Sequence, residues 1–354
     1  MAQIVNILSN GARARLAPNA QSFVVDIRAA NGYWKLFTSD FNGNIKSSLT
    51  SGRAGIGQLN NGNGIFHPSG AYIGFVSEVP EHYLSTVPPT GQVPLGDPGI
   101  GLFANLWITD GIQFWQQNNI PVKQTATDGL PVYATVNPRF TADGKSVIWT
   151  ERYNNGGSFN WGQWRLKEAD LVPLRPKGVA LSNERVIFTP PNGNYVTAMA
   201  FISPTVLLVS GNLEGQSEYG MDLYSLDLTT GNYTNLTNTP QYWEEGSCIA
   251  PSGKIVYMTN QNSNFQYNFN QFWVGQPMER DYYIMDPDGS NKERLTYFND
   301  PSFADYQGWR AVPIVCNITP DGKTILATVG RDYGTATQAY VAWQIWLIKL
   351  NSPL

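Results

Sequence analysis

Short apolar runs alternate with turn-forming residues along the whole chain, a pattern that predicts β-strands joined by hairpins. Residues 317–325 show the unit most clearly. Ile318 ends one apolar run, Pro320 and Gly322 supply a tight turn, and Ile325 starts the next run. The basic element of this chain is therefore a strand, a turn and a strand.

Weaker copies of this unit recur from end to end, at residues 251–254, 141–145, 68–70, 18–20 and 203–204. Six copies with four strands each predict an all-β, six-bladed β-propeller with four-stranded antiparallel blades, in a single domain covering residues 1–354. The expected blades are residues 10–52, 57–120, 131–190, 194–240, 243–298 and 309–350.

The last blade lacks a strand, because that repeat has only three apolar runs, the last of which ends at Leu350. Residues 2–8 form a strand without a turn partner of their own. We expect residues 2–8 to pair with the last blade, which would close the propeller and remove exposed strand edges.

The motif Thr-Pro-Asp-Gly-Lys at 319–323, and the run Asp-Tyr-Tyr-Ile-Met-Asp-Pro-Asp-Gly-Ser-Asn-Lys-Glu-Arg-Leu-Thr at 281–296, resemble the Pro-Asp repeat of TolB-type β-propellers. The resemblance covers the whole chain and is clearest in repeats five and six. It implies six blades. It implies little about activity, since that family includes protein-binding propellers, lyases and gating domains of peptidases.

Charged residues make up 14% of the chain, below the roughly 25% usual in soluble proteins. The deficit is filled by Asn, Gln, Ser, Thr and Gly, which favours a periplasmic or secreted protein whose leader is not in this chain. The net charge is −4 without a basic cluster, so we expect no nucleic-acid partner. No long apolar stretch indicates membrane insertion.

Cys248 and Cys316 lie on equivalent first strands, three and four residues before the turn prolines. This offset points their side chains to opposite strand faces, which predicts two buried free thiols. Two cysteines and two histidines are too few for a structural zinc site, so we expect no metal and no cofactor.

The longest insertions are predicted between second and third strands, at residues 78–105, 151–162, 211–221, 260–280 and 330–342. The first-to-second and third-to-fourth turns are short. Since strand direction alternates within a blade, the insertions share one face with the blade-to-blade connections. Long loops on a rigid scaffold commonly carry function, so we expect a pocket at the channel mouth on this face.

The pocket candidates are polar or aromatic residues where strands meet this face. The predicted ligand-binding residues are Asp26, Arg28, Trp243, Glu244, Asn260, Trp273, Arg310, Arg331 and Asp332. Each of them could instead be a solvated rim residue or an ion pair between blades. Residues 262–273 alternate amides with aromatics, which suits a glycan site, although the rings could equally fold back onto the blade.

Two classes of function remain open. The leading hypothesis is a non-enzymatic propeller that binds a small polar ligand, a glycan or a protein segment, because no nucleophile elbow, metal cluster or phosphate loop is recognisable. The alternative is a lyase or hydrolase. Its candidate catalytic residues are His82, Glu78, Glu81, Glu151 and Arg152. The sequence leaves the oligomeric state open.

Overall fold

The computed structural model describes residues 3–78, 104–121, 132–154, 162–268, 276–335 and 341–354. These residues form six four-stranded antiparallel sheets, the blades of a six-bladed β-propeller. The helical content of the described residues is a single 3-10 turn, Pro191–Gly193. No helix among them is long and apolar enough to cross a bilayer.

The chain divides into two compact units, Arg15–Ala198 and Met1–Ala14 with Met199–Leu354. The boundaries fall inside the first strands of blades 1 and 4. Blade 1 contains β2 (Gly11–Leu16), β3 (Ser22–Arg28), β4 (Trp34–Asp40) and β5 (Ile45–Ser48). Blade 2 contains β6 (Asn61–Phe66), β7 (Ile73–Glu78), β8 (Ala104–Thr109) and β9 (Phe114–Gln116). Blade 3 contains β10 (Ala134–Phe140), β11 (Ser146–Asn154), β12 (Gln163–Pro173) and β13 (Val179–Phe188).

The second half of the chain supplies the other blades. Blade 4 contains β14 (Val196–Ser203), β15 (Val206–Gly211), β16 (Asp222–Asp227) and β17 (Tyr233–Asn235). Blade 5 contains β18 (Glu244–Ile249), β19 (Ile255–Thr259), β20 (Asp281–Met285) and β21 (Glu293–Arg294). Blade 6 contains β22 (Arg310–Ile318), β23 (Thr324–Asp332), β24 (Val341–Lys349) and the N-terminal strand β1 (Gln3–Leu8).

The predicted closure is confirmed. Strand β1 pairs antiparallel with β24, with Gln3 opposite Lys349 and Leu8 opposite Ile345. The first and last segments of the chain therefore share blade 6. The predicted insertions also lie between second and third strands, as in the connection from β19 to β20. The fourth strand of blade 3, β13, is continuous over Val179–Phe188.

The turns between first and second strands of blades 1, 2, 3, 5 and 6 share one hydrogen-bond pattern. Thr319 donates its N–H to the carbonyl of Thr324 (2.9 Å) and accepts the Gly322 N–H (2.8 Å). His67 takes the same place in blade 2. Its Nε2 donates to the Gly144 carbonyl at 2.8 Å, and its Nδ1 accepts the Ser69 N–H at 3.1 Å. His67 is thus a structural residue that joins the turns of blades 2 and 3.

Aliphatic and aromatic side chains pack between adjacent blades and form the cores. In the second unit a cluster joins blades 4 and 5, through Leu208, Leu223, Tyr257 and Met285. In the first unit blades 2 and 3 share a cluster that includes Leu106, Phe140 and Trp149. Cys248 and Cys316 are buried free thiols, as predicted.

Candidate functional site

Most of the predicted ligand-binding residues lie at the insertion end of blades 5 and 6, within one compact unit. This end comprises the starts of β18, β20 and β22 and the ends of β19 and β23. The residues brought together there are Trp243, Glu244, Asn260, Arg310, Arg331 and Asp332. Trp273 lies outside the described residues.

Arg310 and Asp332 form a buried ion pair across the first two strands of blade 6. The Nε of Arg310 donates to Asp332 Oδ2 at 2.8 Å, and the Asp332 side chain is fully buried. The same carboxylate accepts the backbone N–H groups of Met278 (3.1 Å) and Gly334 (2.7 Å). Because Asp332 accepts hydrogen bonds from Arg310, Met278 and Gly334, it links the blade 5 insertion to blade 6. This role is structural.

Glu244 and Asn260 are also held inside the protein. Asn260 accepts the Trp243 N–H at 2.8 Å. Glu244 is 1% exposed and accepts the Thr239 hydroxyl at 2.7 Å. Its other oxygen has no hydrogen-bond partner among the described residues. Burial raises the pKa of the Glu244 carboxyl to about 8.

Glu245, the next residue, belongs to a different environment. Its side chain is half-buried and accepts a hydrogen bond from the Trp243 indole N–H at 3.3 Å. Burial raises the pKa of the Glu245 carboxyl, and the positive charges of Arg13 and Arg280 oppose that shift. Part of the Glu245 side chain stays accessible.

Trp243 positions one of those arginines. The Arg280 guanidinium lies 4.1 Å from the centre of the Trp243 ring, close enough for a cation-π interaction. Trp243 is 6% exposed and its ring also packs against Tyr219, with ring centres 5.2 Å apart. The ring thus supports Arg280 and is not an open stacking surface. We call Arg13, Trp243, Glu245 and Arg280 the arginine cluster.

The backbone conformation after Glu245 accounts for the different surroundings of the Glu244 and Glu245 side chains. Gly246 has a φ of 57° in a bulge of β18, where the register with β19 shifts between Glu245 and Cys248. A Cβ on Gly246 would lie 1.5 Å from the carbonyl oxygen of Ile314, so the inner strand of blade 6 passes directly over this glycine. Only glycine permits this approach.

Arg331 lies apart from the cluster, between two aromatic rings. Its guanidinium is 5.3 Å from the Trp309 ring centre and 4.6 Å from that of Tyr333. Tyr333 is 54% exposed. This arrangement places a cation between two aromatic rings at the insertion end of blade 6.

The amide and aromatic insertion follows the alternation expected from its sequence. Asn264 and Gln266 are exposed, whereas Phe265 and Tyr267 are half-buried. The Tyr267 hydroxyl donates to the Glu279 carbonyl (3.1 Å) and accepts the Glu279 N–H (2.7 Å). These rings fold back onto blade 5, which is the alternative that the sequence left open for them.

Two further ligand candidates lie in blade 1. Asp26 is buried and accepts the Asn63 N–H at 2.9 Å. The exposed Arg28 donates to the Gly32 carbonyl at 3.0 Å and lies over Trp34. Both side chains support their own blade or its neighbour.

The candidate catalytic carboxylates are engaged by neighbours. Glu78 accepts both the backbone and side-chain N–H groups of Asn60 at 3.0 Å. Glu151 accepts hydrogen bonds from the Arg165 Nε at 2.6 Å and from the Lys167 Nζ at 3.2 Å. Arg152 is buried. His82 and Glu81 lie outside the described residues.

Arg13 and Arg280 were not among the ligand-binding residues predicted from the sequence. The signal available for Arg280 was a charged triplet, Glu279 to Asp281, at the start of a third strand. Arg13 could have been noticed as a charged residue on a first strand, where the equivalent residues of blades 2, 3 and 5 are Asn or Gly.

Solved structures match over nearly the whole chain at low sequence identity. A gluconolactonase from Xanthomonas campestris aligns over 98% of this chain and 89% of its own, with a TM-score of 0.52 and 10% identity. TolB from Acinetobacter baumannii aligns over 99% and 64%, with a TM-score of 0.50 and 12% identity. A puromycin-hydrolysing peptidase from Mycobacterium tuberculosis aligns over 94% and 44%, with a TM-score of 0.50 and 13% identity.

No protein-family model and no curated protein matches the sequence. At identities this low, the structural likeness shows the propeller fold alone. The structural neighbours include TolB proteins, as the sequence resemblance implied.

Proposed function

We propose that this protein is a ligand-binding β-propeller, and that the arginine cluster, which lies within one compact unit, forms part of its binding pocket. The observation that carries this proposal is that Glu245 is both desolvated and partly accessible. Its carboxyl is desolvated enough for burial to raise its pKa, yet its side chain remains partly accessible. Desolvated ionisable groups with an accessible surface are common at binding sites.

Among the ligand classes that the sequence left open, a small polar ligand fits best. The donors and acceptors of the cluster are charged groups on short inner-strand and third-strand ends. The rings that could stack on a glycan are engaged elsewhere: Trp243 holds Arg280, and Tyr267 is bonded to Glu279. A glycan or a protein segment would need the exposed rings beside the pocket.

The catalytic alternative gains no support from the described residues. Glu78 accepts a hydrogen bond from Asn60, and Glu151 accepts hydrogen bonds from Arg165 and Lys167. Each carboxylate therefore stabilises its own blade. We also retain a periplasmic or secreted location as a proposal, supported by the low content of charged residues.

Native mass spectrometry of the purified protein, followed by a thermal-shift panel of glucose, galactose, acetate, succinate, citrate and succinamide, tests the binding function. We expect a bound molecule or a stabilising panel member. Glu245→Phe, which fills the space beside the arginines, should abolish the shift while the protein still melts cooperatively. Glu245→Met serves if the larger side chain prevents folding. Absence of any binding, or full binding in both variants, would overturn the proposal.

A further inference from the structure

The chain has two cysteines, Cys248 and Cys316, and neither belongs to the candidate binding site. Cys248 lies on β18 of blade 5 and Cys316 on β22 of blade 6, within the same compact unit. Both are buried thiols, with Cys248 8% exposed and Cys316 1% exposed. The orientations of the two side chains decide whether these thiols can react with each other.

The side chain of Cys248 faces blade 6. Cys248 pairs with Val256, and Val256 pairs with Ile284, so these three side chains share one face of the blade 5 sheet. Tyr282, two residues before Ile284 on the same strand, lies on that face as well. The Tyr282 hydroxyl donates to the Val315 carbonyl of β22 at 2.9 Å. The face that carries Cys248 therefore packs against blade 6.

The side chain of Cys316 faces blade 5. Its Sγ donates to the Gly246 carbonyl at 3.4 Å and lies 3.7 Å from the Val256 carbonyl oxygen. Gly246 is two residues before Cys248 on β18, and Val256 is the residue opposite Cys248 on β19. Both cysteine side chains thus point into the interface between blades 5 and 6, at the same level of that interface.

The first strands of the two blades are in backbone contact at this level. A Cβ on Gly246 would lie 1.5 Å from the carbonyl oxygen of Ile314. Each blade has four antiparallel strands, so the first strands of blades 5 and 6 run in the same direction. A step of two residues along each strand leads from this contact to Cys248 and Cys316. A disulfide spans Cα atoms about 4–7 Å apart, a separation that requires strands as close as these.

The positions of the cysteines in the sequence agree with this arrangement. Cys248 lies three residues before Pro251, whereas Cys316 lies four residues before Pro320. This offset of one residue places the two side chains on opposite faces of equivalent strands. Two neighbouring blades turn opposite faces towards each other, so the offset is what brings both thiols into one interface.

We propose that Cys248 and Cys316 form an oxidative modification site, where hydrogen peroxide converts the two thiols into a disulfide between blades 5 and 6. The thiolate of Cys248, the more exposed residue, attacks one peroxide oxygen. The O–O bond breaks, which leaves a sulfenic acid on Cys248 and releases hydroxide. The Cys316 sulfur then attacks the Cys248 Sγ, the S–O bond breaks and water leaves. In total the thiols lose two electrons and two protons, and the peroxide becomes two water molecules.

The disulfide does not depend on the binding function proposed above. It does agree with the proposed periplasmic or secreted location, because disulfides form and persist in oxidising compartments.

Treatment of the folded wild-type protein with hydrogen peroxide tests the inference. We expect both thiols to disappear from a thiol titration in denaturant, and non-reducing peptide mapping to find the Cys248 peptide joined to the Cys316 peptide. The melting temperature should rise by about 5 °C, since the cross-link restricts the unfolded chain. Dithiothreitol should reverse all three changes. This reversal separates a disulfide from methionine sulfoxide, which needs a dedicated reductase.

Cys248→Ala and Cys316→Ala are the matched controls, because each variant keeps one thiol. Neither should show a rise in melting temperature that dithiothreitol reverses. The peptide map of the wild type decides the question even if a variant does not fold. Two titratable thiols after peroxide treatment, a sulfinic acid in place of the cross-link, or a disulfide that joins two protein molecules would overturn the inference.

Discussion

Glu151 and Glu245 both lie at the insertion end of a blade, yet their surroundings differ. Glu151 in blade 3 has cations on both carboxylate oxygens: Arg165 at 2.6 Å and Lys167 at 3.2 Å. Glu245 in blade 5 accepts a hydrogen bond from the Trp243 indole N–H at 3.3 Å, and no ion pair closer than 4 Å reaches it among the described residues. The first carboxylate has two cationic partners within its own sheet, whereas the second is the group that we assign to the proposed binding pocket.

This difference separates residues that stabilise the fold from residues available for binding. Charged groups with several short hydrogen bonds should contribute to the free energy of unfolding and leave ligand affinity unaffected. Charged groups of the arginine cluster should contribute to ligand affinity and leave the free energy of unfolding unaffected. Four substitutions test the distinction.

The largest loss of stability should come from Asp332→Asn. Asp332 is buried and accepts hydrogen bonds from Arg310 and from two backbone N–H groups, so the change leaves the half-buried Arg310 without its counter-ion. We expect about 3 kcal/mol of destabilisation in urea unfolding. Lys145→Gln, which removes an exposed ion pair, should change stability by less than about 0.5 kcal/mol. Equal small effects would show that the Asp332 pair is not structural.

Glu244→Gln should alter the dependence of stability on pH. The folded-state pKa of Glu244 is about 8, above its value of about 4.3 in an unfolded chain. The folded protein therefore binds the extra proton, and this contribution is complete below the unfolded pKa and lost as pH rises towards 8. At about pH 8 the variant should be the more stable protein, because the wild type loses this contribution there and the variant does not. Parallel stability curves for the two proteins between about pH 5 and pH 8 would contradict the assignment.

Glu151→Gln should destabilise blade 3 by about 1–2 kcal/mol, because Arg165 and Lys167 are only partly exposed and lose a shared counter-ion. Ligand affinity should not change. Thermal unfolding and titration of the same variant measure both quantities. A loss of binding here with an intact fold would instead favour the catalytic alternative for this residue.

The smallest effect should come from Ala20→Gly. Ala20 has a φ of 52° in the first turn of blade 1, where the equivalent turns have Gly70, Gly144, Gly253 and Gly322. Glycine removes the strain and gains freedom in the unfolded chain, so the net gain should be below about 1 kcal/mol. Gly322→Ala serves as the opposite change. It should destabilise more, since its Cβ would lie 2.7 Å from the Leu354 carbonyl oxygen.

The fold could be predicted because it rests on local signals repeated many times. Period-two apolar runs and Gly or Pro turns predicted the strands, and one missing strand in the last repeat predicted the pairing of β1 with β24. The continuity of β13 was not predictable, since polar residues 183–185 interrupt its apolar pattern while the strand stays exposed along that stretch.

The sequence predicts a location for the candidate site but not its details. Strand ends at the insertion face indicated Trp243 and its neighbours, yet nothing in the sequence separates the buried Glu244 from the half-buried Glu245. That separation depends on the bulge at Gly246 and on the passage of Ile314 above it. Arg13 is more than two hundred residues from Glu245, and only tertiary structure brings its charge to that carboxyl.

The most direct test of the central claim titrates one ligand, the strongest binder of the panel, into Glu245→Phe and Glu151→Gln side by side. We predict that Glu245→Phe loses binding while its melting temperature stays near that of the wild type, and that Glu151→Gln keeps wild-type affinity with a lower melting temperature. Retained binding in Glu245→Phe together with lost binding in Glu151→Gln would contradict the account and move the site to blade 3.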